Sequence, residues 1–157
     1  MRIFLLLFFL IFTFGCAIRN IKYDRNKILK KYSVKYEIFV DNRKMDLETV
    51  YLNKYNIESI RIDKRAKKLK ITQFKQVELF ELKNLNLDSL SAGRRGLNKK
   101  KIELIIIDGI ILTDSLKEKT RIDPNAIKSF EIISQDTMNN ITCCRTYNGE
   151  VIIITTK

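Results

Sequence analysis

Short segments of the chain alternate between apolar and polar positions, as β-strands do. Residues 33–41 read SVKYEIFVD, in which Val34, Tyr36, Ile38 and Val40 occupy every second position. A period of two predicts a half-buried strand. Residues 101–108 read KIELIIID, and so continuous a β-branched run predicts a strand that is covered on both faces.

These two strands open two similar halves. Residues 53–62, NKYNIESIRI, align with residues 123–132, DPNAIKSFEI. Each segment begins with Asn or Asp, which are good N-cap residues, and Pro124 follows at the first helical position, where its missing N–H costs nothing. We therefore expect a short helical turn that leads into a strand in each half. Closing strands are predicted at residues 77–82 and 151–155, and because Val151 to Ile154 are all apolar, the last strand should be central in its sheet.

The turns between these strands supply further candidate positions. Asp41 and Asp108 follow the opening strands of the two halves, and Asp is favoured in turns because its carboxylate accepts turn N–H bonds. Acid/base chemistry by this pair is the less favoured interpretation, since nothing else converges on it. Gly109 and Gly149 are expected at a positive φ or at a close backbone approach, because no phosphate-binding glycine pattern surrounds them.

The N-terminus has the pattern of an export signal. Met1-Arg2 is followed by twelve residues that are apolar except for Thr13, and then by Gly15-Cys16-Ala17. The apolar run is too short for a typical membrane span, so a retained transmembrane helix is the minor alternative. Residues 13–16, TFGC, resemble a bacterial lipobox, which implies that Cys16 is diacylated. Ordinary cleavage after Ala17 is the other alternative, and it would release a soluble protein.

Composition excludes several chemistries. The chain has 157 residues, enough for one domain or two very small ones, and contains no His and three Cys. Without an imidazole, Ser-His and Cys-His nucleophiles and His-ligated zinc are impossible. Cys143 and Cys144 are adjacent, a spacing that favours two buried small residues over a structural disulfide or a metal site. We therefore expect no enzyme activity, no metal and no cofactor.

The chain has a net charge of +12, and ten of its 30 Lys and Arg residues lie in two clusters. Export makes a nucleic acid an improbable partner, and no basic motif interleaved with aromatic residues supports one. An anionic lipid surface or an acidic protein partner fits the charge, as does an unoccupied solvated face. The two clusters comprise Lys64, Arg65, Lys67, Lys68 and Lys70, and Arg94, Arg95, Lys99, Lys100 and Lys101.

Three ordered blocks in the second half resemble the plug domain of TonB-dependent outer-membrane receptors. They are the IDG turn at 107–109, the proline-started helix and strand at 123–132, and the closing NGEVIIITTK at 148–157. The first half looks like a degenerate copy that lacks the turn glycine and the proline. The resemblance implies a small α+β interaction module of the periplasm or outer membrane. It does not imply a transporter, because the barrel that follows a receptor's plug is missing from this sequence.

These inferences define the expected organisation. The fold class is α+β, with two tandem plug-like βαβ-type units and mixed sheets after a cleaved signal peptide. The expected protein is a non-catalytic envelope lipoprotein, held at the membrane by its lipid, that binds an envelope protein; the alternative is a basic protein that binds anionic lipid or the outer-membrane surface. The predicted segments are a signal peptide at 1–15, a polar tether at 16–32, a degenerate plug-like repeat at 33–83, a basic linker at 84–100 and a plug-like repeat at 101–157.

Overall fold

A computed structural model describes residues 18–85, 101–134, 137–138 and 148–157. Within these ranges the chain is a mixed α+β protein with mostly strands, three small sheets and few helices. It divides into two compact units. Unit 1 comprises Met1–Glu48 and Asn56–Gln76, and unit 2 comprises Thr49–Tyr55 and Val77–Lys157.

Unit 1 is built on a five-stranded sheet, sheet 1. Its elements are β1 (Ile18–Asn20), α1 (Arg25–Tyr32), β2 (Glu37–Val40), β3 (Arg43–Lys44), β5 (Ile57–Asp63) and β6 (Lys68–Gln73). The strand order is β1-β5-β6-β2-β3, and β2 and β6 are the parallel pair. A 3-10 turn, Lys54–Asn56, leads into β5.

Unit 2 contains a four-stranded sheet, sheet 2, and a smaller three-stranded sheet. Its elements are β4 (Val50–Tyr51), β7 (Phe80–Glu81), a 3-10 turn (Leu82–Asn84), β8 (Ile102–Ile107), β9 (Ile110–Ile111), α2 (Asp114–Lys119), β10 (Arg121–Ile122), a 3-10 turn (Pro124–Ala126), β11 (Ile127–Ile133) and β12 (Glu150–Thr156). Sheet 2 has the order β11-β12-β8-β9, and the small sheet has the order β4-β10-β7.

Four strands have the same arrangement in both large sheets. β5-β6-β2-β3 and β11-β12-β8-β9 share their order, and in both the two middle strands are parallel while the outer pairings are antiparallel. The strands β5 and β11, which follow the 3-10 turns Lys54–Asn56 and Pro124–Ala126, also have a register shift at their start, at 57/59 and at 127/129. β12 lies between β11 and β8, which confirms its predicted central position.

Apolar residues on one face of each sheet form the core. In sheet 1, the register partners Ile60 and Ile71, and Ile62 and Leu69, are all buried. In unit 2, one cluster includes Ile105, Ile107, Ile152 and Ile154 from β8 and β12, together with Tyr51, Leu82, Leu112 and Ile122. Alternate residues of these strands therefore point to the opposite face, which we call the outer face of each sheet.

The expected polar tether at 16–32 is in large part regular structure. It contains β1 and α1, and the Asp24 carboxylate caps α1 by accepting a hydrogen bond from the Lys27 N–H at 2.9 Å. Ile28 and Tyr32, four residues apart, are buried on one side of the helix. This i, i+4 pair stabilises the helix through packing even though half of its residues are charged.

The closing strand of the first half lies earlier in the chain than predicted. The strand that closes sheet 1 is β6 at 68–73, whereas 77–82 contributes only the two-residue β7 to the small sheet of unit 2. The predicted strand at 33–41 is also shorter, because it begins at Glu37 and leaves Val34 93% exposed. Lys alternates with apolar residues both at 33–36 and at 68–71. That pattern fits an exposed turn as well as a half-buried strand, so it does not locate the strand.

Candidate binding surfaces

The turn carboxylates tie each opening strand to the end of its parallel neighbour. Asp41 and Asp108 have φ values of 46° and 50°. Asp41 Oδ1 accepts a hydrogen bond from the Gln73 N–H at 3.0 Å. Asp108 accepts two from Thr156, at 2.7 Å from the N–H and 2.6 Å from the hydroxyl. The predicted hydrogen-bonding role is therefore present, but the donors lie at a strand end instead of within the turn.

The other predicted turn residues also have structural roles. Gly109 has a φ of 80°, and a Cβ on Gly149 would lie 2.4 Å from the Lys101 carbonyl oxygen. Pro124 begins a 3-10 turn that Asp123 caps by accepting a hydrogen bond from the Asn125 N–H at 2.8 Å. Asp123 is buried, and its second carboxylate oxygen has no partner among the described residues.

Positive charge crosses the outer face of sheet 1 in one row. Arg61 of β5 is the register partner of Lys70 of β6, which pairs with Phe39 of β2, which in turn pairs with Lys44 of β3. With strands about 4.8 Å apart, this row is about 14 Å long. Arg61, Lys70 and Lys44 are exposed, whereas the neighbouring residues along β5 and β6 are buried. We call these four residues the cationic row.

Most of the charge of this row is not neutralised. Lys44 donates a hydrogen bond to Glu37 and forms an ion pair with it. This hydrogen bond and the charge of Lys44 lower the pKa of Glu37 below its usual value. Within the described part of the chain, neither Arg61 nor Lys70 has an ion-pair partner. Lys68, two residues before Lys70 on β6 and the register partner of Asp63, lies 5.4 Å from the centroid of the Phe39 ring, within cation–π range. Arg61 and Lys70 are thus two like charges directly opposite each other, an arrangement that destabilises a sheet.

The equivalent row in sheet 2 is apolar apart from Glu131 at one end. It runs from Glu131 to Ile153, Ile106 and Ile111 through register partners on β11, β12, β8 and β9. Ile153 and Ile106 are half-buried, and Ile111 is 58% exposed. We call the three isoleucines the apolar row. The two outer faces therefore share a backbone arrangement but differ in chemistry.

The unequal charge of the two units follows the same division. Of the 30 Lys and Arg residues, 17 lie in unit 1, together with only 7 of the 18 Asp and Glu residues, so that unit 1 carries +10 and unit 2 carries +2. Unit 1 also has an open cleft of about 520 Å³ whose lining includes Lys35, Lys44 and Lys67. The cationic character of the chain is thus mainly a property of unit 1.

The structure separates the residues of the first predicted basic cluster. Lys64, Arg65 and Lys67 lie in the turn between β5 and β6, while Lys68 and Lys70 lie on β6 itself. In the second cluster, Lys101 is exposed next to β8, and Arg94, Arg95, Lys99 and Lys100 lie outside the described residues. Cys16, Cys143 and Cys144 lie outside them too. Sequence reasoning missed Arg61, because its pairing with Lys70 depends on strand register.

Two further ionisable groups in the described ranges have shifted pKa values with local causes. Lys83 and Arg121 bind Glu81 at 2.8 and 3.0 Å and lower its pKa. Burial raises the pKa of Tyr23 to about 12, and its hydroxyl has no partner in the described ranges. Those ranges contain no group of three or more Cys, Asp or Glu residues that could hold a metal ion. They also contain no helix long and apolar enough to cross a membrane.

Comparison with known proteins adds no relative. No family model matches the chain, and neither the curated proteins nor the solved structures contain a match.

Proposed function

We propose that this chain is a non-catalytic lipoprotein of a bacterial cell envelope, located in the periplasm or at the outer membrane, that binds another envelope protein through a plug-like module. The observation that carries the proposal is the exposed apolar row of unit 2. Ile111 is exposed and Ile106 and Ile153 are half-buried, and such an apolar row favours a protein contact, because burying apolar surface drives association.

The shared strand arrangement supports a duplicated plug-like unit. The two halves have equivalent turns with an Asp at positive φ, equivalent 3-10 turns, and the same order of four strands. Repetition of the backbone with divergence of the outer faces is the pattern expected when two copies of one unit acquire different contacts. Under this proposal, unit 2 docks on the protein partner and unit 1 has another role.

The test is site-specific photocross-linking in intact envelopes at Ile111, with Ile110 as the matched control. The two isoleucines are neighbours on β9, with exposed fractions of 58% and 50%, but Ile110 pairs with the core residue Ile107 and Ile111 pairs with Ile106 of the apolar row. A discrete adduct from Ile111 and a much weaker one from Ile110 are expected. Equal adducts from both positions, or none from either, would contradict the proposal.

A further inference from the structure

On the outer face of sheet 1, Arg61 and Lys70 are exposed and have no ion-pair partner among the described residues. Arg61 and Lys70 face each other across β5 and β6, and Lys68, two residues away on β6 and paired with Asp63, lies beside the Phe39 ring. Thr72 continues the same alternation along β6, and Phe74, directly after this strand, is 70% exposed. Cations interspersed with the half-buried Phe39 and the exposed Phe74 suit an anionic surface that has apolar material just below its charges.

The position of β1 places this face close to the proposed lipid anchor. β1 is the edge strand of sheet 1, where Asn20 pairs with Arg61 and Ile18 pairs with Asp63. Only one residue separates Ile18 from Cys16, so their Cα atoms can be at most about 7 Å apart. A diacyl group on Cys16 therefore brings the edge of sheet 1 to the membrane without a long tether.

We propose that the outer face of sheet 1 lies on anionic lipid headgroups, with Arg61 and Lys70 as the principal phosphate contacts and Phe74 at the level of the headgroups. This inference rests on the proposed lipid anchor for the orientation of unit 1. Charge complementarity supports it, because unit 1 carries +9 of the +11 net charge that remains after removal of residues 1–15, which contain Arg2. In the unbound protein the repulsion between Arg61 and Lys70 lowers the stability of the sheet. On the membrane both cations contact the same anionic surface.

The binding test uses residues 16–157 carrying Cys16→Ala, so that no acyl chain contributes. Vesicles of one part phosphatidylglycerol to three parts phosphatidylcholine are compared with pure phosphatidylcholine at low and high salt. Each cation near an anionic surface is worth about a fivefold change in affinity. Arg61→Gln with Lys70→Gln should therefore weaken binding about 25-fold, and high salt should abolish it.

A control with the same change in net charge separates this face from the charge of the chain as a whole. Lys119→Gln with Lys128→Gln removes two exposed cations from unit 2 and should change binding less than about twofold, since both lie outside the proposed contact. Equal losses in the two double variants would overturn the proposal. A thermal unfolding curve for each variant verifies that the fold is retained.

Fluorescence provides a readout specific to a membrane. The chain has no Trp, so Phe74→Trp introduces a single indole at the exposed end of β6. Its emission should shift to shorter wavelength on anionic vesicles, whereas Phe80→Trp in unit 2 should not shift. Absence of the shift at position 74, or binding of a single-stranded oligonucleotide in place of vesicles, would overturn the proposal.

The proposed lipid anchor and the proposed lipid-binding face can be refuted independently of each other. Acyl labelling of the full chain in cells reports on Cys16 alone. Labelling together with vesicle binding that the Arg61 and Lys70 substitutions do not change would refute the lipid-binding face and leave the anchor standing. Absence of labelling together with the 25-fold loss would refute the anchor and support the face.

Discussion

The Asp108 carboxylate accepts hydrogen bonds from both the backbone N–H and the hydroxyl of Thr156, which lies 48 residues later in the chain. The contact joins the turn after β8 to the end of β12. In sheet 1, Asp41 makes the corresponding contact with Gln73 through one hydrogen bond only. These contacts hold a positive-φ turn against the end of the parallel strand, and they give the first prediction.

Asp108→Ala should lower the free energy of unfolding by about 2 kcal/mol, because it removes two hydrogen bonds to a charged acceptor. Asp41→Ala, which removes one, should cost about 1 kcal/mol. Asp108→Asn serves as the control, since Asn retains one acceptor and tolerates positive φ; its cost should be the smaller of the two Asp108 changes. Urea unfolding measures all three. Equal stability of Asp108→Ala and the parent chain would show that the contact contributes nothing.

The two glycines provide a matched pair of identical substitutions. Gly149→Ala places a Cβ 2.4 Å from the Lys101 carbonyl oxygen, a backbone atom that cannot move without disturbing the start of β8. A loss of about 3 kcal/mol is expected from this overpacking. Gly109→Ala meets no atom within 4 Å and has only its positive φ to accommodate, at about 1 kcal/mol. A reversed order in thermal or urea unfolding would contradict the close approach at Gly149.

The acid dependence of stability should include a contribution from Glu81. Its hydrogen bond with Lys83, the charge of Lys83 and that of Arg121 lower its pKa from the ordinary value of 4.5. Because protonation is harder in the folded chain than in the unfolded one, the stabilisation is complete above 4.5 and is lost as the pH falls through the folded-state pKa. NMR titration of the Glu81 carboxyl should show a lowered pKa that rises in Lys83→Gln. Titration of Glu81 at or above 4.5 in the parent chain would contradict the ion pairs.

The fold was most predictable where one pattern dominated its segment. Val151 to Ile154 are continuously apolar and β-branched, as expected of a central strand, and β12 is central. β6 was missed because Lys68 and Lys70 flank Leu69, so that two buried residues were hidden in a basic segment. α1 was not predicted for the same reason, because Ile28 and Tyr32 lie among lysines. The only other sequence signal for this helix is its N-cap residue, Asp24.

The candidate surfaces depended on information that a single sequence does not contain. Arg61 and Lys70 are nine residues apart in the chain, and only the β5–β6 register places them opposite each other. A shift of that register by one residue would place Arg61 next to a buried position instead. The apolar character of β8 and β12 was visible in the sequence, but the exposure of Ile111 at the edge of sheet 2 was not.

Lipidation predicts a specific change in the processed protein. In cells supplied with a labelled fatty acid, the parent chain should incorporate label and Cys16→Ala should not, because only the thioether at Cys16 carries the diacylglycerol under the proposal. Cys143→Ala with Cys144→Ala is the control and should be labelled as the parent is. Label retained in Cys16→Ala, or an unlabelled soluble product from the parent chain, would favour ordinary cleavage after Ala17.

The last prediction concerns the cost of opposing Arg61 with a like charge. Lys70→Glu converts the pair into an attractive one across β5 and β6, so the free energy of unfolding should rise by about 0.2–1 kcal/mol. Lys70→Gln removes the repulsion without adding an attraction and should give a smaller increase.

The same two variants should bind anionic vesicles more weakly than the parent, with Lys70→Glu the weaker because it introduces a negative charge. Gains in stability paired with losses in binding would separate the two roles of Lys70, since damage to the fold lowers both quantities. Urea unfolding and vesicle co-sedimentation on the same preparations provide the comparison. A Lys70→Glu chain that is less stable than the parent would show that Arg61 and Lys70 do not repel each other in the folded protein.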